Sequence, residues 1–405
     1  MPTKSSIHTK KMILLYTLII LFFILIALPG CNSPEAPSED GDPGQQDGKA
    51  AEAAATETSA AGELDQNGNT GTGERENQVQ EQENTAADDP LLWEGKFSPN
   101  ELGEIMILMY HEIGHPEGEW QRTPDNFRRD LETLYVEGYR LVSLNDVVRG
   151  EIDIPAGTSP VVLTFDDANR GNFNYLEQNG TMALDPDCAV AILEDFYAEN
   201  PDFGFAATFY IYYPNPFRQP ALIEEKLNYL VDKGFDIGNH TYGHANLSRI
   251  SPTEIQRELA LHQKHTEQYI PGYKVRSLAL PYGASPREHA GLLLEGSYEG
   301  TSYSNEAVLL VGANPAPSPF HHNFNPARLP RIRASEMNTA GVGMYDWLDV
   351  FEANPQRRYV SDGNPNTIAV PESRLDSLDK GRTHNKEIII ILEQQESEDR
   401  SQKLE

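Results

Sequence analysis

The strongest constraint on this chain is the repeated alternation of short apolar runs with segments of helical periodicity. Runs over 105–109, 161–165, 207–211, 235–238 and 277–280 have the length and composition of buried strands. Between them lie helix signals. Phe127, Leu131, Leu134 and Tyr135 fall at helical spacing after Pro124-Asp125-Asn126, and Gly138 ends that segment. Ser143 caps a short helix over 144–148, residues 189–199 suit another, and 221–233 is a third that Gly234 closes. Ser251-Pro252-Thr253-Glu254 opens a further one with proline in its first turn. Alternating elements of these lengths imply an α/β class, a mostly parallel sheet covered by helices, either barrel or doubly wound. After Gly291 the pattern weakens, with strands expected only at 307–311 and 388–392.

Three of the runs end in residues that carry chemistry. The run Val161-Val162-Leu163-Thr164-Phe165 leads into Asp166-Asp167, the run at 235–238 into His240-Thr241-Tyr242-Gly243-His244, and that at 277–280 into Pro281-Tyr282-Gly283. Successive side chains point to opposite faces of extended backbone, so one carboxylate can face a metal while its neighbour faces substrate. The plainer role for such a pair is to cap the following turn. His240 and His244 would share one side of a helical turn, but Gly243 makes a loop carrying both equally compatible. Zinc and similar divalent metals accept two imidazoles and a carboxylate while leaving positions for water and substrate. Asp167, His240 and His244 make that set; cobalt, nickel and manganese suit it as well as zinc to different degrees.

These segments resemble the polysaccharide deacetylase family, the NodB-homology or carbohydrate esterase family 4 enzymes. Thr164-Phe165-Asp166-Asp167 is similar to its first motif, His240-Thr241-Tyr242-Gly243-His244 to its second and Leu280-Pro281-Tyr282-Gly283 to its third, while Leu108-Met109-Tyr110-His111 resembles the opening of the exported branch that acts on poly-N-acetylglucosamine and related polymers. The resemblance implies a distorted (β/α) barrel with a groove for sugar polymers. It implies that Asp167, His240 and His244 hold the metal, that Asp166 is the general base, and that Pro281 and Tyr282 line the oxyanion side, with the Tyr282 backbone N–H meeting the developing charge. The activity implied is removal of N-acetyl groups from an N-acetylglucosamine-based wall or extracellular polysaccharide. An O-acetyl esterase and a glycan-binding protein on the same fold are the alternatives.

The chain departs from the family pattern at two places. Ala279 stands where an arginine commonly orients the base, and Arg276, Arg331 and Arg333 are the candidates to replace it. The final run Ile391-Leu392-Glu393-Gln394-Gln395 carries no histidine where the family has its proton donor. His111 is the first candidate for that role because it follows the first strand; His321, His322 and His384 rank behind it. Trp120, Tyr210, Tyr212, Tyr213 and Trp347 are candidates to line a sugar groove, against the usual place of aromatics in the core.

Targeting signals and charge bound the rest. Lys4, Lys10 and Lys11 precede an apolar run over 12–28 and then Pro29-Gly30-Cys31, which resembles a bacterial lipoprotein signal over 1–31 with Cys31 as the lipidated residue. An uncleaved membrane anchor is the alternative, and both readings place the remainder outside the cytoplasm, attached to the membrane. Residues 32–95 are acidic and nearly devoid of large apolar side chains, the composition of a flexible tether. The folded domain is expected over 96–393 and a charged tail over 394–405. With 62 acidic against 32 basic residues the net charge is -30, which argues against nucleic acid as a partner. Cys188 is the only other cysteine, so no disulfide framework is expected.

Overall fold

The structure, a computed structural model, describes residues 97–392. The expectations for the lipoprotein signal, for the tether and for the charged tail therefore lie outside the described residues. Among the described residues no helix is long and apolar enough to cross a membrane.

Eight strands form the main sheet: β1 (Met106–Tyr110), β2 (Tyr139–Leu141), β3 (Ser159–Phe165), β4 (Thr208–Ile211), β5 (Asp236–Asn239), β6 (Ser277–Ala279), β7 (Ala307–Leu309) and β8 (Ile332–Arg333). Their order is β7-β6-β5-β4-β3-β1-β8, with β2 also paired to β3, and each pairing is parallel. The two ends of this order approach each other, because Leu309 of β7 is bridged to Leu329, just ahead of β8. The sheet thus curls into the expected barrel-like α/β form.

Both faces of the sheet are buried, so its strands are continuous apolar runs, as parallel sheets require. Alternate residues divide between two cores. Met106, Leu108, Val161, Leu163 and Phe165 face outward under α1 (Pro124–Val136), α3 (Ala189–Glu199) and α4 (Ile223–Asp232), while Ile105, Ile107, Val162, Tyr210, Ala279 and Leu309 fill the interior. A short helix, α2 (Leu144–Arg149), begins at Ser143, whose hydroxyl accepts from Asp146 N–H. The longest described helix, α5 (Pro252–Tyr269), starts at the expected place with a capping box of Ser251 and Glu254: each side chain bonds the other's backbone N–H. It covers the β5 and β6 side through Ile255 and Leu259.

The region after Gly291 holds more structure than its weak periodicity suggests. Hairpin strands Glu295–Tyr298 and Thr301–Ser304, the helix α6 (Met344–Ala353) and the strand Thr367–Pro371 were not legible, whereas the strand expected at 388–392 is found over Glu387–Ile391, paired in parallel with Thr367–Pro371. A second hairpin, Tyr175–Gln178 with Thr181–Leu184, follows the paired aspartates. Several of the proposed groove aromatics are core. Tyr210 is fully buried with its hydroxyl on Ser277, Tyr213 is buried against Thr266 of α5, and Trp347 packs on Phe351 with its indole N–H on Ala313 O. Those three are therefore corrected to packing residues, while Trp120 stays 43% exposed.

Glu101 ties the domain's entry to the parallel pair by accepting from Ala369 N–H and from the Tyr359 hydroxyl. Burial, and then the charge of Asp362, push its carboxyl up to about 7. A carboxyl raised from about 4.5 in the unfolded chain favours the fold fully below that pH, and the favour is lost as pH rises through about 7. Glu101→Gln cannot ionise, so its stability relative to the parent should rise by on the order of 3 kcal/mol between pH 4.5 and 8. Urea unfolding of both proteins across that range measures the difference; a pH-independent gap would contradict the assignment.

Candidate metal centre

The chemistry-bearing residues gather at the C-terminal rim of the curled sheet because parallel strands all deliver their last residues to one end. Asp166 follows β3 with its side chain on the interior parity of Val162 and Thr164. It is 1% exposed and receives two bonds of 2.7 Å from Arg331, Nη1 to Oδ1 and Nη2 to Oδ2. Arg331 is itself fully buried, and its remaining bonds go to Thr164 Oγ1 and to Leu310 O. Burial opposes ionisation of Asp166, but Arg331, followed by His240, outweighs it and holds the carboxyl below its ordinary value.

Of the three candidate arginines the fold therefore selects Arg331. Arg276 pairs at the surface with Glu306, and Arg333 with Glu119 beneath the Trp120 ring. Arg331 precedes β8, which lies beside β1 in the sheet, so it reaches Asp166 from a segment remote in sequence from Ala279.

Asp167 turns the other way. Its backbone is left-handed, with φ of 70°, and its Oδ1 lies 3.4 Å from His240 Nε2 and 3.2 Å from His244 Nε2. Both histidines sit in the loop after β5, not on a helical turn; Thr241 and His244 take φ of 61° and 56°. That loop is fastened by Asn239 Oδ1, which accepts from Thr241 N–H, by Thr241 Oγ1, which accepts from Ala245 N–H, and by Glu258 of α5, which accepts from Gly243 N–H at 2.7 Å.

The donor set fits a cation on this geometry. His240 Nδ1 lies 2.8 Å from Ala279 O, and a carbonyl can only accept, so the proton sits on Nδ1 and leaves Nε2 as a bare acceptor in the neutral ring. Nε2 then faces a carboxylate oxygen, and two acceptors in contact require positive charge between them. One ligand atom from each of Asp167, His240 and His244 lies within 4.8 Å of the others, and this is the one such cluster among the described residues. Burial raises the Asp167 carboxyl, but the two histidines outweigh it and hold it well below the usual range.

The comparisons with known proteins bear on this rim. Residues 153–298 match the family model for polysaccharide deacetylase. The chain carries a polysaccharide deacetylase domain. The matched stretch contains Asp166, Asp167, His240, His244, Pro281 and Tyr282, whereas His111 and Arg331 fall outside it. A curated Bacillus subtilis (strain 168) protein, YxkH, whose own assignment as a polysaccharide deacetylase is provisional, is 25% identical over 185 residues. The alignment takes in 45% of this chain and 56% of that protein, so the chain spans little more than half of this curated relative. Among solved structures, the Streptococcus pyogenes deacetylase PplD in complex with acetate is 21% identical, with 59% of this chain and 97% of that chain covered at a TM-score of 0.44. IcaB from Ammonifex degensii is 16% identical, with 62% and 99% covered at 0.41.

The remaining candidate residues occupy distinct places. Tyr282 is 67% exposed with φ of 61°, its hydroxyl 3.1 Å from His244 Nδ1, and Pro281 beside it is buried. His111 follows β1; its ring meets Trp120 edge-on at 4.8 Å, and burial lowers its imidazole against the opposing charges of Asp166 and Asp167. The His321 and His322 rings meet at a tilt of 50°, with their backbones on Leu378 and Ser377. The His384 ring lies near Gly150. These three lie against residues outside the rim. Ala279 is in the buried core, and its contribution is the carbonyl that orients His240.

Removing one partner of a buried ion pair costs about 3–5 kcal/mol, whereas an exposed pair is worth about 1 kcal/mol or less. Arg331→Met should therefore destabilise the protein by about 3–5 kcal/mol in urea unfolding, and Arg276→Met by less than about 1 kcal/mol. Equal losses would show that Arg331 is not the partner on which Asp166 depends.

Proposed function

We propose that this protein is a metal-dependent deacetylase that hydrolyses N-acetyl groups of an N-acetylglucosamine-based extracellular or cell-wall polysaccharide. The observation that carries the reading is the convergence of Asp167 Oδ1 with two imidazole Nε2 atoms beside a second, arginine-bound carboxylate. Asp167, His240 and His244 would hold a divalent metal, with zinc the best match to the donor set and cobalt, nickel or manganese as substitutes. A metal held there supplies Lewis acidity that acidifies water and polarises the acetyl carbonyl.

The chain's own groups account for the proton transfers. Asp166 is kept ionised by Arg331 and retains a lone pair on each oxygen beyond the two bonds it accepts, so it takes the proton of the attacking water. As water's oxygen bonds to the acetyl carbon, the Tyr282 backbone N–H faces the negative charge that gathers on the carbonyl oxygen. The C–N bond then breaks and the nitrogen takes a proton from His111, which yields acetate and a free amine. His111 suits this step by its place after β1 on the same rim as Asp166, and Trp120 against its ring offers an exposed aromatic face for a pyranose.

Two expected outcomes test the assignment. With chitooligosaccharide substrate, the metal-stripped full chain should release neither acetate nor amine, added zinc should restore both in equal amounts, and Asp166→Asn should lower turnover by about 10²-fold or more. Acetate released from an O-acetylated polysaccharide, with none from the chitooligosaccharide, would identify an O-acetyl esterase, and oligomer binding without acetate under any metal would leave a glycan-binding protein. In the same assay His111→Ala should lower kcat by about 10²–10⁴-fold. Unchanged turnover in that variant would remove His111 from the mechanism.

Export and attachment through a lipid on Cys31 belong to the same proposal, supported by the sequence of 1–31 alone. Radiolabelled palmitate should enter the parent chain and not Cys31→Ala; label in both would exclude Cys31 as the modified residue.

A further inference from the structure

Arg218 stands in a turn after β4, between the aspartate that follows β3 and the histidine loop that follows β5. Its Nη2 donates to Asp167 O at 3.3 Å, to Asn169 Oδ1 at 3.2 Å and to the Tyr212 hydroxyl at 2.6 Å, while Nη1 donates to Asn215 O at 3.1 Å. The guanidinium also lies 4.8 Å from the Tyr212 ring centre. That ring in turn packs on His244, 5.1 Å between centres. One side chain is thereby bonded to the backbone of one candidate metal ligand and, through a single intervening ring, in contact with another.

The backbone here needs such a hold. Asp167 and Ala168 have φ of 70° and 43°, and across from them Phe217 and Arg218 have φ of 57° and 53°. A left-handed backbone is strained for any residue other than glycine, so four of them persist only where the surroundings over-determine the conformation. The two strained pairs are joined by Phe217 N–H donating to Ala168 O at 2.7 Å and by the Arg218 bond to Asp167 O. Beneath them the buried Lys226 ammonium donates to Phe173 O at 2.6 Å, which anchors the far side of the same loop.

We propose that Arg218 is a positioning residue for the metal: it sets the orientation of Asp167 through that residue's carbonyl and limits the movement of His244 through Tyr212. It touches neither the ligand atoms nor the reacting groups. Its effect lies in the geometry in which Asp167 Oδ1 and the His244 ring are presented. The inference rests on the reading of Asp167, His240 and His244 as ligands. Partners behind the ligands commonly contribute a factor of about 10–100 to metal affinity.

The test is zinc affinity of the full chain, measured by competition with a fluorescent chelator. Wild type, Arg218→Met and Tyr212→Phe are compared, with circular dichroism and thermal midpoints taken on the metal-free proteins. Arg218→Met with native dichroism should bind zinc about 10–100-fold more weakly than wild type, and Tyr212→Phe severalfold more weakly. A turn-stapling role alone would move the metal-free midpoint and leave the zinc affinity of the folded protein unchanged, and that result overturns the proposal. Should Arg218→Met fail to fold, Tyr212→Phe decides by the same criterion, since it loses a single hydroxyl. Wild type that binds no zinc would defeat the metal reading itself, whereas equal binding by wild type and variant defeats only the role of Arg218.

Discussion

The buried pair between Asp166 and Arg331 is the interaction on which the rest of the rim depends. A carboxylate at 1% exposure cannot stay ionised without a partner, and Arg331 meets both of its oxygens in fork geometry while donating also to Thr164 Oγ1 and Leu310 O. Those acceptors lie on β3 and just after β7, and Arg331 itself leads into β8. The guanidinium thus joins the middle of the sheet to its closing edge. It is charge compensation for the site and, by position, a brace across the interior of the barrel.

With Asp166 drawn inward, its neighbour is free to face the rim. Alternation along an extended strand would point the two carboxylates apart in any case, and the left-handed turn at Asp167 carries the second one over to the histidine loop. The same conformation recurs at Thr241, His244 and Tyr282, so the strained backbone of this region is concentrated in the loops that present the site. The scaffold beneath is of the opposite kind. Its strands are buried on both faces and paired in uninterrupted parallel register, which gives short, strained loops a rigid base.

Most of the central elements were legible because each has a local cause. The apolar run at 161–165 lies within β3, the helix over 189–199 coincides with α3, and Ser251-Pro252-Thr253-Glu254 marks the start of α5 to the residue. The hairpins near Tyr175 and Glu295 were not, since half-exposed strands with mixed composition show no clean alternation. Aromatic residues misled in the expected direction. Tyr210 and Tyr213 read as groove candidates by type, yet their hydroxyls find partners inside the core, on Ser277 and Thr266.

The sequence by itself determined the candidate ligand types, their spacing and their placement at strand ends, because apolar runs and strand parity act over a few residues at a time. It also carried the departures: an alanine at 279 and no histidine in the last run. Tertiary structure decided which arginine replaces the missing one, that the histidines ride on a loop, and that Arg218 stands behind Asp167. Each of those choices joins residues tens to more than a hundred positions apart, and Arg276, Arg331 and Arg333 are chemically identical in the chain. Only the curl of the sheet, which brings β8 beside β1 and next but one to β3, separates the guanidinium that reaches Asp166 from those that pair with Glu306 and Glu119.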